Sequence, residues 1–247
     1  MNHNSRKHDT AVARSARSIA NLLLFAVCGL SSVAIAQKPS TIPEKIEWTW
    51  EVRPDAVNPH LPNVLILGDS ISRNYYPEVV KNLSGIANVY LMASSTSVGD
   101  PRIEVQIAEF GSMERVRFSV VHFNNGMYGW TYTEAQYGTD FPKYLRAVRT
   151  LVQRKEGLIW ASTTPVRSDA DTGATNPRIE ERNRIALSLI QAAGIPVDDQ
   201  SSLMQQHQDL HEDSVHYNVA GAKIQGDQAS VIIRAALKAS DSSNSRD

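Results

Sequence analysis

Asn63-Val64-Leu65-Ile66-Leu67-Gly68-Asp69-Ser70 is the stretch that decides the fold. A nearly continuous apolar run bounded by turn residues is the mark of a strand buried on both faces. The glycine lets the chain leave that strand sharply. Further runs of strand length are Ala87 to Met92, Phe118 to Phe123, Leu158 to Ala161 and Ile195 to Asp198. Amphipathic segments of helix length separate them, and this alternation predicts βαβ units around a parallel sheet. Five strands are expected, with helices on both faces of the sheet.

Two helices have readable ends. Asn176-Pro177 reads as a cap followed by proline at the first helical position; Ala186, Leu189, Ile190 and Ala193 recur at helical spacing, and Gly194 ends the run. The last helix is expected from Val219 to Ala239, with Val219, Ala222, Ala229, Ile233 and Ala236 on one face. Residues 240–247 form a polar tail that should fray. On the other side of the deciding stretch, residues 37–62 carry Pro39, Pro43, Pro54, Pro59 and Pro62, with Trp48 and Trp50 in a short alternating stretch. Proline at that density bars a long helix. The segment reads as an extended arm laid over one domain, residues 63–239.

Residues 1–36 read as a secretory signal peptide. Arg6, Lys7, Arg14 and Arg17 precede an apolar run from Ile19 to Leu30, and Ala34-Ile35-Ala36 offers a small-x-small cleavage site before Gln37. A dozen apolar residues reach about 18 Å as a helix, short of the roughly 30 Å hydrocarbon core. The expectation is export to the periplasm or medium, with no stable membrane span after cleavage.

The full chain has 247 residues, 42% of them hydrophobic, with 25 basic and 26 acidic side chains. That composition excludes a disordered chain, and the charge balance gives no basic face for nucleic acid. Cleavage after Ala36 would remove four basic residues and Asp9, leaving 211 residues with 21 basic and 25 acidic side chains, a net of -4. The single cysteine, Cys28, excludes an internal disulfide and a Cys-rich zinc site. It lies within the signal.

Ligands of an open parallel sheet bind at the carboxyl ends of the strands, so chemistry is sought just after each apolar run. Ser70 stands there at a helix start, where free backbone N–H groups favour developing negative charge. Asp69 reads as a turn or cap residue. After the third run, Asn124 offers an amide for an oxyanion, although Asn124-Asn125-Gly126 also makes an ordinary turn. Near the C-terminus, Asp213 and His216 are three residues apart, close enough for a carboxylate to hold one imidazole nitrogen and leave the other as a base.

These pieces together resemble the SGNH hydrolases, also called the GDSL esterase and lipase family, from Asn63 to Ala239. Gly68-Asp69-Ser70-Ile71-Ser72 matches the first block and Asp213-x-x-His216 the last. At the block that usually reads Gly-x-Asn-Asp, this chain has His122-Phe123-Asn124-Asn125; Ser97-Val98-Gly99-Asp100 supplies the glycine of the second block. The resemblance implies a three-layer α/β/α, flavodoxin-like domain with a five-stranded parallel sheet, and hydrolysis of an ester with no cofactor or metal. It assigns Ser70, His216 and Asp213 as the catalytic triad, with Ser70, Gly99 and Asn124 as the oxyanion hole.

The expected partner is a small-molecule or glycan ester. Tyr128, Trp130, Tyr132 and Tyr137 follow the Asn124 block, and Tyr128 and Trp130 are candidates to stack on sugar faces. Thr163 to Arg167 follows the fourth strand, where Arg167 is a candidate contact for an acidic substrate. Two rivals stand. One is a carbohydrate-binding or interaction domain that keeps the fold without turnover. The other is a metal-dependent hydrolase built on His207, His211 and His216, although the HExxH spacing is absent.

Overall fold

The computed structural model describes residues 41–167 and 173–244, with side chains through 239. The expected signal peptide with Cys28, the first residues of the arm and the last three residues of the tail lie outside the described residues. Asn63–Gly68 forms β2, at the heart of a sheet whose order is β1-β3-β2-β4-β5-β6. Its partners are β3 (Asn88–Ser94) and β4 (Val120–Phe123), followed by β5 (Leu158–Ala161) and β6 (Val197–Asp198). These five pair in parallel, each at one of the predicted apolar runs.

The sheet nevertheless has six strands. Thr49–Val52 of the arm forms β1, antiparallel to β3, with Trp50 opposite Ala93 and Val52 opposite Leu91. Periodicity could not reveal this, because β1 is a short edge strand whose residues are exposed or half-buried.

Alternation along the parallel strands divides the core. Val64, Ile66, Leu91, Val120 and Ile159 pack on one face with Ile71, Tyr75 and Val79 of α1 (Ser70–Asn82) and Ala229 and Ile233 of α6 (Val219–Asn244). Leu65, Leu67, Met92, Phe123 and Trp160 face the other way. There they meet α2 (Arg102–Glu114), α3 (Glu134–Arg149) and α4 (Asn176–Ala192) through Phe110, Phe141 and Ile190. The result is three layers, α/β/α. A short helix, α5 (Gln200–Gln205), follows β6. Among the described residues no helix is long and apolar enough to cross a membrane.

Three expectations about helices change. Thr175, not Asn176, occupies the N-cap of α4; the Asn176 side chain instead pairs both ways with the backbone of Val166 at 2.9 Å. Val219 is 87% exposed, because it stands at the first turn of α6, and Leu237 takes a buried place further along. The helix also continues to Asn244. No glycine or proline follows Ala239 to stop it.

Candidate active site

β2 delivers Ser70 through a tight sequence of local choices. Asp69 adopts an extended conformation and caps α1, its carboxylate accepting the Ile71 N–H at 2.9 Å. Burial pushes the Asp69 carboxyl up, opposed by hydrogen bonds from the Ile71 and Ser72 backbone. Gly68 is required by close approach, since a Cβ there would enter the Ser72 side chain. Ser70 thus begins the helix with its hydroxyl at the carboxyl end of the sheet, as the strand-end argument predicts.

His216 arrives from a loop 146 residues later. Its Nε2 lies 2.7 Å from Ser70 Oγ, and its Nδ1 lies 2.8 Å from Asp213 Oδ2. The other Asp213 oxygen accepts the N–H groups of Val215 at 2.7 Å and His216 at 2.6 Å. Desolvation raises the Asp213 pKa, but these hydrogen bonds outweigh it and hold the carboxyl below the usual value. The loop is tied on both sides. Asn74 of α1 donates to Tyr217 O at 2.9 Å, the Tyr217 hydroxyl donates to Pro165 O at 3.0 Å, and Arg167 N–H donates to Ser214 O at 3.0 Å. The backbone of Arg167, the candidate substrate contact, thus ties down the loop that carries Asp213 and His216.

Asn124 sits at the end of β4 with its amide already engaged. Nδ2 donates to Ala161 O at 2.6 Å and to Thr163 Oγ1 at 3.0 Å. Both hydrogens of the amide are thus occupied. Gly126 permits that Thr163 contact, because a Cβ there would strike Thr163 Oγ1. Gly99 lies in the turn after β3, close against the Tyr132 ring.

The aromatic residues after β4 divide by role. The Tyr128 ring meets Trp48 edge-on, and burial pushes its hydroxyl above the usual phenol range, opposed by the Ser70 and Trp48 side chains. Trp130, expected to stack on a sugar, instead carries the guanidinium groups of Arg182 at 3.9 Å and Arg178 at 5.1 Å from its ring centroid. Tyr132 and Tyr137 are buried. The two arginines, one turn apart on α4, also hold the loop backbone: Arg182 donates to the carbonyls of Gly126, Tyr128 and Gly129, and Arg178 to those of Trp130 and Tyr132. Burial pulls the Arg182 pKa down to about 10. Their i, i+4 spacing was visible in the sequence, but a pair of arginines on an amphipathic helix usually marks its solvated face.

The three histidines of the metal alternative do not converge. Both ring nitrogens of His216 face Ser70 and Asp213, while the His211 ring stacks on Tyr217 at 4.1 Å. Among the described residues no group of three or more metal-ligating side chains gathers at one place. A different histidine forms a second pair. His122 Nε2 lies 2.7 Å from Asp198 Oδ2, both side chains fully buried, and Gln200 and Gln228 complete the carboxylate.

No family model and no curated protein sequence matches the chain. Solved structures do. A member of the lipolytic G-D-S-L family from Veillonella parvula is similar at 18% identity and TM-score 0.54, covering 68% of this chain and 95% of that one. The C-terminal catalytic domain of a peptidoglycan O-acetyltransferase from Streptococcus pneumoniae is similar at 15% identity and TM-score 0.53, covering 72% and 96%. An acetylxylan esterase from Geobacillus stearothermophilus is similar at 15% identity and TM-score 0.51, covering 68% and 91%. At these identities the likeness is one of fold: the chain shares the three-layer α/β/α architecture of these structures, a member of the lipolytic G-D-S-L family among them.

Proposed function

We propose that this protein is an exported serine esterase that hydrolyses carboxylic esters, with glycan esters as the favoured class. The observation that carries the reading is the unbroken contact from Ser70 Oγ through the His216 ring to Asp213, at 2.7 and 2.8 Å. Export rests on the N-terminal segment described above. Ser70 attacks the ester carbonyl carbon while His216 Nε2 takes its proton, and Asp213 holds the imidazole in the tautomer that leaves Nε2 free. The tetrahedral oxyanion is met by the backbone N–H groups of Ser70 and Gly99 and by Asn124, once its amide leaves Thr163. Collapse expels the alcohol, which receives the proton from His216. Water then attacks the acyl-serine by the same route in reverse, releasing the acid and free Ser70.

Removing the nucleophile of such a triad costs on the order of 10⁶ in kcat. The test is release of p-nitrophenol from a short-chain p-nitrophenyl ester by protein purified after export. Turnover is expected to vanish in Ser70→Ala, and undiminished turnover in that variant would sink the assignment. A second arm supplies a sugar alcohol as acceptor. Acyl transfer to the sugar exceeding hydrolysis would recast the protein as a transferase.

A further inference from the structure

The arm brings to the nucleophile a set of side chains that the triad does not use. Trp48 immediately precedes β1, and its backbone exchanges hydrogen bonds with Ser95: Trp48 N–H donates to Ser95 Oγ at 2.8 Å and Ser95 N–H to Trp48 O at 3.0 Å. Its ring meets Tyr128 edge-on, with centroids 6.0 Å apart. Arg73 stands one helical turn after Ser70 on α1, on the same side of the helix. Its guanidinium carbon is 5.3 Å from the Trp48 ring centroid and 5.0 Å from that of Trp50. A continuous wall therefore runs from Tyr128 through Trp48 and Arg73 to Trp50, its Arg73 one helical turn from Ser70.

Two residues of this wall are exposed to solvent. Trp50 is 51% exposed, a large apolar area left in water at a position fixed by strand pairing. Arg73 is exposed and forms no ion pair among the described residues, its contacts being the two indole faces. Other arginines around the arm are neutralised: Arg102 by Asp100 and Glu47, Arg53 by Glu114. An indole held at a fixed angle is a stacking platform for a pyranose face. A guanidinium supported by two rings keeps its N–H fork available for a carboxylate.

We infer that Trp48, Arg73 and Trp50 form the subsite for the alcohol portion of the ester, and that this portion is an acidic saccharide whose ring stacks on Trp50 and whose carboxylate is held by Arg73. The inference rests on the esterase reading for the role of the subsite, but not for its ligand. The wall is open and extends away from Ser70, as a glycan chain requires, whereas an acyl group as small as acetyl needs no such surface.

The experiment separates the two claims by using a ligand without an ester. Full-length exported protein is titrated with trigalacturonate and, in parallel, with the neutral xylotriose, following tryptophan fluorescence and calorimetry. Trigalacturonate is expected to bind at least tenfold more tightly than xylotriose, and more weakly as salt rises. Arg73→Gln and Trp50→Ala should each weaken its binding about tenfold, while Arg73→Lys, which keeps the charge without the fork, retains part of it. In turnover, Arg73→Gln should lower the ratio of kcat/KM for an acetylated oligouronate to that for an acetylated neutral oligosaccharide about tenfold, through KM. Equal binding of the two trisaccharides, or binding unmoved in both Arg73 variants, overturns the subsite. Trigalacturonate binding without hydrolysis of any ester supports the subsite and removes the esterase reading. Hydrolysis without such binding does the reverse.

Discussion

The molecule contains two histidine–carboxylate pairs of nearly equal length and opposite circumstance. His216 and Asp213 meet at 2.8 Å with side chains 31% and 56% exposed; His122 and Asp198 meet at 2.7 Å with both at 0%. In the first pair the far nitrogen faces a serine hydroxyl at 2.7 Å, so a proton has somewhere to go. In the second, the far nitrogen stands 3.5 Å from the Tyr75 hydroxyl inside the core, and the carboxylate is filled by two glutamine amides. The hydrogen bond is the same chemistry in both. What separates the exposed pair from the buried brace is the third partner and access to water.

That contrast can be broken from either side. The largest effect is expected in Asp213→Asn, where the amide would favour the wrong imidazole tautomer and lower kcat by about 10⁴. Its melting temperature should move little, because the pair is exposed. The sign with pH is definite: a carboxyl held below its usual value contributes stability above that value and loses it as pH falls through the lowered one. The small gap between Asp213→Asn and the parent should therefore close in acid, as urea titrations at several pH values would reveal.

The buried pair predicts the opposite division. His122→Ala leaves Asp198 with its histidine partner missing inside the sheet, a change that costs about 3–5 kcal/mol in buried pairs. Denaturant unfolding should register that loss, while kcat per folded molecule stays within about tenfold of the parent. A collapse of kcat in the folded fraction would show that the brace also tunes the site. Arg182→Met is expected to cost less, about 1–3 kcal/mol, by leaving the carbonyls of Gly126, Tyr128 and Gly129 without their donor. Limited proteolysis should then cut first between residues 126 and 132.

The smallest effect concerns Asn124. Thr163→Val removes an acceptor that competes for the amide, and a neutral hydrogen bond has a net value of about 1 kcal/mol. A rise of kcat by up to about fivefold is expected, with KM nearly unchanged. A fall would mean that Thr163 positions the amide rather than restraining it.

The parallel strands, the Ser70 turn and the Asp213-x-x-His216 loop were legible in the linear chain because each is set by neighbours a few residues apart. Apolar runs mark strands buried on both faces, and a carboxylate three residues before a histidine can bond its ring and its backbone together. Pairing of β1 with β3, by contrast, joins residues 39 to 45 apart, and nothing in Thr49–Val52 announces its partner. Side-chain direction was equally hidden. Trp130 and Trp50 are the same residue type in comparably aromatic stretches, yet one is covered by two arginines of α4 and the other stands in solvent beside Arg73. Whether an indole packs or presents itself depends on which distant helix closes over it, and that is settled only when the layers assemble.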